Sequence, residues 1–355
     1  MIRVSADELR RFCLDLLIGC AVRTDVATDV AEGLVQASLR GVDSHGVRLL
    51  PHYLQAVKGG RLNPNPTYRF DRTASATGLL DGDHTFGHAA GMEAARRAVA
   101  LAREAGTGFV AVYNSSHFGA AAYFALEIAR HDMIGIASTS TDALIKTYAG
   151  TRPFVGNNPI CLAAPCRGED PFCLDMATSV MTFNKIRQLR DAGLPAPAGV
   201  GADRDGRETT DPDTISMLLP IGGYKGYGLS LMVEILCSLL SGMPYGPHIP
   251  KMFEAPLGQK RCLGHWIGAI RIDAFQPVET FKARLAEMLQ ELRAEPRGDP
   301  ETPIQVPGDP EKREAEQRSR HGIPLTPAEY EGLRSLRDAY GVRTDLMEQT
   351  DAVVR

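Results

Sequence analysis

Between Arg40 and Gln55 the chain reads RGVDSHGVRLLPHYLQ, which gathers a carboxylate, a hydroxyl, two imidazoles, a guanidinium and a phenol on Asp43, Ser44, His45, Arg48, His52 and Tyr53. An imidazole titrates near neutrality and suits proton transfer. A guanidinium offers a planar fork for a carboxylate. His45 and Arg48 stand one turn apart, so acid and clamp are a workable pair; a solvated polar loop is the plainer alternative. A second histidine, His117, lies in NSSHFGAAAYFA between a strand-like run and a helix start. That junction is the carboxyl end of a strand, where ligands bind in α/β sheets. Ser115 or Ser116 would serve there as a helix cap.

Two further stretches have the character of binding sites. LDMATS (174–179) ends a strand on Asp175, which can orient an imidazole or cap the following turn. GGYKGYG (222–228) surrounds Lys225 with glycines and leads into an apolar helix. Its backbone can approach an anion, with Lys225 as point charge and the helix N-terminus as partial positive charge. DGDHTFGH offers Asp81, Asp83, His84 and His88 as a conceivable metal cluster, but turn chemistry at Asp81-Gly82 explains it more cheaply, and no metal is expected. Gly106-Thr107-Gly108 follows a helix and precedes a strand, the reverse of the order that a Rossmann fingerprint requires.

Several elements must hold these groups. Ser5-Ala6-Asp7-Glu8 matches a capping box, so the chain is expected to begin on a helix to about Cys20. A second helix runs from an N-cap at Thr24 to about Arg40, closed by Gly41. Ser44 would cap a third, carrying His45, Arg48 and His52 on one face, with Pro51 as a threat to its interior. After about residue 70, strand-like runs (ATGLLDGD, GFVAVYN, MIGIASTST, PICLAAP, FCLDMA, HWIGAIRI) alternate with helical ones, the pattern of an α/β sheet. GLSLMVEILCSLLSG is too short to span a bilayer and suits a buried core helix. The charged tail ends in IPLTPAEYEGLRSL, with Thr326 as N-cap.

The totals exclude some classes. The 355 residues carry 39 basic and 43 acidic side chains, a net charge of −4 with no block of one sign, so nucleic acid is not an expected partner. No signal peptide or membrane span is read, which favours the cytoplasm. The seven cysteines are odd in number and scattered, and read as buried thiols.

Together the motifs RGVDSHGVRLLPHYLQAVKGG, NSSHFGAAAYFA, GNNPICLAAP, LDMATS, GRETTDP, GGYKGYGLSLMVEIL, LGHWIGAIRID and VPGDPEKREAE resemble the malate/L-lactate dehydrogenase family that lies outside the Rossmann class. They follow that family's order over about residues 5 to 325. The resemblance implies a three-layer α/β domain at 69–299, with a mixed sheet and an unusual dinucleotide site. It also implies a helical part at 1–68, on which 300–355 packs. It further implies a homodimer that uses NAD(H) or NADP(H) on a small anionic substrate, a 2-hydroxy acid and its 2-oxo acid, or else a cyclic imine acid. Carried over by motif, His45 is the proton donor with Ser44 and Asp175 as relay, His117 is the rival acid–base, and Arg48 is the carboxylate clamp with Tyr53 as pocket wall. Asp175, Met176, Ala177, Thr178, Lys225, Gly226, Gly264, His265 and Trp266 match dinucleotide positions. Two departures stand out. ALIKTYAGTRPFVGNNP carries Lys146, Ala149 and Asn157 where the family has a proline, paired glycines and G-T-N-P, and Asn184 replaces a glycine before Lys185. Lys146 suggests a second anionic group on the substrate. A Ser44–His45–Asp175 hydrolase lacks its nucleophile elbow, and a dinucleotide-binding protein without catalysis is the remaining alternative.

Overall fold

The computed structural model describes residues 1–348. The chain opens on a short strand, β1 (Ile2–Val4), before helices α1 (Ala6–Gly19), α2 (Thr24–Leu39) and α3 (Leu50–Lys58). The expected helical start is thus corrected by one strand. Half of the capping box forms: Ser5 accepts from the Glu8 N–H at 3.2 Å, while the Glu8 carboxylate meets the Ser5 hydroxyl rather than its N–H. Thr24 is the first helical residue rather than the cap, which is Arg23, and Gly41 leaves α2 at φ 77° as expected. Residues 43–45 and 47–49 form two separate 3-10 turns joined at Gly46 rather than one helix. Pro51 then lies in the first turn of α3, where its missing N–H leaves no bond unmade.

The α/β part follows as β2 (Arg69–Ala74), β3 (Thr77–Asp81), α4 (Gly87–Ala105), β4 (Thr107–Ser115), α5 (Ala122–Ala129), β5 (Met133–Thr139), β6 (Ile145–Lys146), β7 (Pro153–Val155), β8 (Ile160–Ala164) and β9 (Phe172–Met176). Next come α6 (Phe183–Asp191), β10 (Gly201–Ala202), β11 (Met217–Leu218), α7 (Tyr224–Glu234), β12 (Leu263–Arg271), α8 (Val278–Ala294), α9 (Asp309–His321), β13 (Ile323–Leu325) and α10 (Pro327–Ala339). Seven strands form one mixed sheet in the order β2-β3-β4-β12-β5-β8-β9. Only β3 and β4 run parallel in it, joined through α4.

Side chains alternate across a strand. On β12, Ile267 and Ala269 join the core made with α4 and α5, whereas Gly264 meets the π-helical turn Ile235–Leu239 that extends α7. The sheet is therefore covered on both faces, giving the expected three layers. A smaller sheet, β10-β11-β6-β7, has its own core of Ile145, Val155, Ile186, Val200 and Leu218.

The chain ends come together. β1 pairs antiparallel with β13, and Leu9, Phe12, Leu16, Leu34, Leu50 and Leu54 share one apolar cluster with Ile323, Leu325, Tyr330 and Leu333. Of the tail expected to pack there, residues 349–355 lie outside the described residues. Among the described residues, no helix is long and apolar enough to cross a membrane.

Candidate active site

The site is built on the segment between α2 and α3. Gly46 links its two turns in an extended conformation, and a Cβ there would collide with the Ser38 hydroxyl. That hydroxyl accepts from the Val47 N–H at 3.0 Å. Arg318 of α9 grips Asp43 through both nitrogens, at 2.6 and 3.0 Å, and reaches the Ser38 carbonyl at 2.6 Å. A bidentate, mostly buried pair of this kind fixes geometry as well as charge. Asp43 is thus an anchor for the turn that presents Ser44 and His45.

His117 arrives from the carboxyl end of β4. Its ring stacks on His45, with centroids 5.5 Å apart and planes inclined by 20°. Each imidazole has its Nδ1 against a hydroxyl: Ser44 Oγ at 2.9 Å from His45, and Tyr53 Oη at 2.6 Å from His117. Among the described residues neither Nε2 has a hydrogen-bond partner. Two parallel rings held through Nδ1 leave two nitrogens free for proton chemistry.

Burial shapes the electrostatics. It lowers His45 to about 4, and with the neighbouring histidines and Arg261 it holds His117 well below the usual imidazole range. Both rings are neutral at pH 7. Burial pushes the Tyr53 phenol up, so it keeps its proton. Behind Tyr53 lies His88, edge-on to its ring at 5.5 Å and 1% exposed, with neither nitrogen partnered among the described residues.

The remaining sequence-derived candidates fall in several places. Asp175 is not joined to His45; it accepts from the Ala122 N–H at 2.8 Å at the start of α5. The Ser44–His45–Asp175 relay therefore exists in this structure only as its first contact, because Asp175 is spent on a helix terminus. Part of Asp175 stays open to solvent, yet the protein crowding its carboxylate raises it to about 6, with the Ala122 N–H opposing the rise. Met176 and Ala177 are half-buried beside it, and Thr178 is fully buried, its N–H and hydroxyl both directed to the Asn157 carbonyl. Asn157 in turn takes the Thr141 hydroxyl at 3.0 Å, so this departure from the family pattern braces the loop after β5.

His265 is wholly enclosed, between the Thr139 and Ser115 hydroxyls at 2.7 Å each, and stacked on Phe118. It supports the end of β4 that presents His117 rather than lining an opening. Gly264 and Gly226 are packing glycines, where a Cβ would strike the Cys237 and Ile221 carbonyls. Trp266 stacks on Phe109. Arg48 is paired with Glu329 of α10 at 3.3 Å. Lys146 stands on β6 of the smaller sheet, whose following turn touches α7 through Tyr148 and Tyr224, with ring centroids 5.2 Å apart. In DGDHTFGH the acids bind protein groups: Asp81 holds Arg69 and Asn114, and Asp83 holds Asn63 and the Thr67 N–H.

Lys225 is exposed at the N-terminus of α7, which has no side-chain cap. Gly222 and Gly223 precede it at φ 56° and 61°, with open space where a Cβ would stand. Unsatisfied N–H groups, a cation and an unobstructed backbone fit a phosphate group. The sequence reading missed two charged groups close to the histidines. Arg261, 2% exposed, pairs with Asp142 at 2.5 Å, and its charge is felt by His52, Tyr53 and His117. Neither residue belongs to a motif that marks it.

Comparison with known proteins places this geometry among relatives. Residues 4–334 match the family model described as malate/L-lactate dehydrogenase. A malate dehydrogenase of Pyrococcus abyssi is 36% identical over 352 residues, covering 96% of both chains. An NAD(+) ureidoglycolate dehydrogenase of Escherichia coli O157:H7 is 29% identical over 94% of this chain and 95% of its own. The structure of the sulfolactate dehydrogenase from Methanocaldococcus jannaschii superimposes with a TM-score of 0.91 at 31% identity, over 97% of this chain and 98% of that one.

Proposed function

The chain belongs to the malate/L-lactate dehydrogenase family, and from that premise we propose that His117 and His45 are the acid–base pair with which it interconverts a small 2-hydroxy acid and its 2-oxo acid. The observation that carries the assignment is the stacked pair itself, with both Nδ1 atoms occupied and both Nε2 atoms free among the described residues.

A nicotinamide dinucleotide, when bound, takes or gives the hydride. Its phosphates would be held by the N-terminus of α7 with Lys225, and the end of β9 at Asp175, Met176 and Ala177 would form the neighbouring wall. The rest of the chemistry belongs to this chain. With Tyr53 Oη accepting from Nδ1–H, His117 presents a bare Nε2 that takes the hydroxyl proton of a 2-hydroxy acid and returns it to the oxo acid in reverse. His45, stacked beside it, donates to the same oxygen as charge develops there. His117 is the better-held ring, because Tyr53 is only 3% exposed whereas Ser44 is half-buried on a surface turn. Arg48 holds the substrate carboxylate. Lys146, two residues before the Tyr148 that packs on Tyr224 at the start of α7, acts on the dinucleotide side rather than on a second anionic group of the substrate.

The protein works as a homodimer. What supports this is the apolar face of α7 and its extension, where Met232, Ile235, Leu239 and Leu240 are 40 to 59% exposed.

The deciding experiment measures NADH and NADPH oxidation over a panel of 2-oxo acids and cyclic imine acids. Turnover of a 2-oxo acid is expected; turnover of imines alone would move the chemistry to C=N reduction. Binding of dinucleotide without any turnover would overturn the catalytic reading.

A further inference from the structure

We propose that Glu329 is a positioning residue that sets substrate affinity: its carboxylate stands at the fork of Arg48 that the carboxylate of the substrate takes, and Arg48 must swing away from it on binding. This rests on Arg48 being the clamp. Glu329 is the third residue of α10, and its two oxygens do different work. Oε2 accepts from the Thr326 N–H at 2.9 Å, and Thr326 Oγ1 accepts from the Glu329 N–H at 3.2 Å, a complete capping box with Pro327 in the first turn. Oε1 faces Arg48 Nη2 at 3.3 Å. The cap holds the carboxylate in place whether or not Arg48 is present, so the guanidinium, not Glu329, is the mobile partner.

The contact is suited to exchange. It is longer than the 2.7–2.9 Å usual for a charge-assisted N–H···O bond, and Arg48 and Glu329 side chains are 38% and 25% exposed. Arg48 has no other ion pair among the described residues. The turn that carries it is fixed by Arg318–Asp43 and by Ser38, which leaves the side chain as the part that swings. Arg48, Glu329, Ser38 and Asp43 also line one shallow recess with Pro324 and Leu325, so the C-terminal segment forms a wall beside the clamp. An incoming carboxylate can make the bidentate contact that Glu329, tied to its cap, does not make.

The test separates charge from cap. Glu329→Gln keeps the capping box, which accepts Gln at this position, and removes the competing charge. Exposed ion pairs contribute about 0.2–1 kcal/mol, so KM for the 2-oxo acid should fall by up to ~5-fold in the full-length protein, with kcat and Tm held. In an Arg48→Gln background the same substitution should leave KM where it is. Glu329→Ala removes the charge and the side-chain half of the cap, leaving the backbone N–H of residue 329 on Thr326 Oγ1, and should lower both KM and Tm. An unchanged or raised KM in folded Glu329→Gln, while Arg48→Gln raises KM, overturns the role of Glu329 alone. If Arg48→Gln itself leaves KM unchanged, the clamp assignment falls and this inference falls with it.

Discussion

Tyr53 and His117, 64 residues apart in the chain, meet through a 2.6 Å contact between the phenolic oxygen and Nδ1. The bond joins α3 of the terminal helical cluster to the end of β4 in the large sheet, so the His117 ring is oriented by an element from outside its own layer. Tyr53 is itself held edge-on by Phe86 and His88. Tyr53→Phe keeps that packing and deletes one hydroxyl. It leaves Nδ1 unpartnered in a buried place, which costs about 1–3 kcal/mol. The expected result is a kcat roughly 10- to 100-fold lower, a small change in KM and an unaltered circular dichroism spectrum. Wild-type kcat would remove Tyr53 from the mechanism.

Acid should destabilise the fold earlier than an ordinary carboxylate titration predicts. Burial holds His45 and His52 at about 4 and His88 and His265 at about 3, while unfolded imidazoles titrate near 6.5. Between these values the unfolded chain binds more protons, so stability is full above pH ~6.5 and is lost as pH falls toward the folded values. Asp175, raised to about 6, and Asp29 and Glu234, also raised by burial, work in the opposite sense, three carboxylates against the six lowered histidines His45, His52, His84, His88, His117 and His265. Each net proton contributes a slope of about 1.4 kcal/mol per pH unit. Urea midpoints should therefore fall clearly between pH 7.5 and 5.5; equal midpoints would mean that these rings are hydrated or already charged.

The apolar stripe on α7 gives a direct test of assembly. Ile235 and Leu239 are each 54% exposed on the π-helical turn. Light scattering on the wild type should give about twice the 38.4 kDa chain mass. Ile235→Glu combined with Leu239→Glu should halve it, because a charge in a dry interface leaves it unpaired and desolvated. A wild-type mass of one chain refutes the dimer outright.

Local pattern revealed most of the large sheet. β4, β5, β8, β9 and β12 are apolar runs bounded by turn residues, and α4 is an Ala-rich helix ended by Gly106 at φ 85°. What escaped depends on distant partners. β1 is three residues long and exists because β13 pairs with it from the far end of the chain. The helix GLSLMVEILCSLLSG reads as core from composition, but its polar residues Ser230, Glu234, Ser238 and Ser241 face inward while Met232, Ile235, Leu239 and Leu240 are open, the reverse of the usual amphipathic pattern. At the candidate site, motif spacing singled out His45, His117 and Arg48, of which the structure stacks the two histidines. It did not find that Asp175 serves the start of α5, or that Arg48 meets Glu329 from the opposite end of the chain. Those are tertiary facts with no local signal.

The two histidines are distinguishable by truncation. Sequence spacing favours His45, one turn from Arg48, whereas geometry favours His117, whose Nδ1 contact is to a buried and immobile phenol. A positioned general acid–base typically contributes about 10²- to 10⁴-fold. His117→Ala should lose that factor in kcat, measured by single-turnover hydride transfer so that product release does not mask it. On the proposed mechanism His45→Ala removes the second donor and should lose less, roughly 10-fold, with KM little changed because Arg48 would still hold the carboxylate. His45 and His117 touch, so their effects should not add: the double variant should resemble His117→Ala alone. The reverse order, with His45→Ala the more damaging, would hand the proton to His45 and leave Tyr53 and His117 as its support.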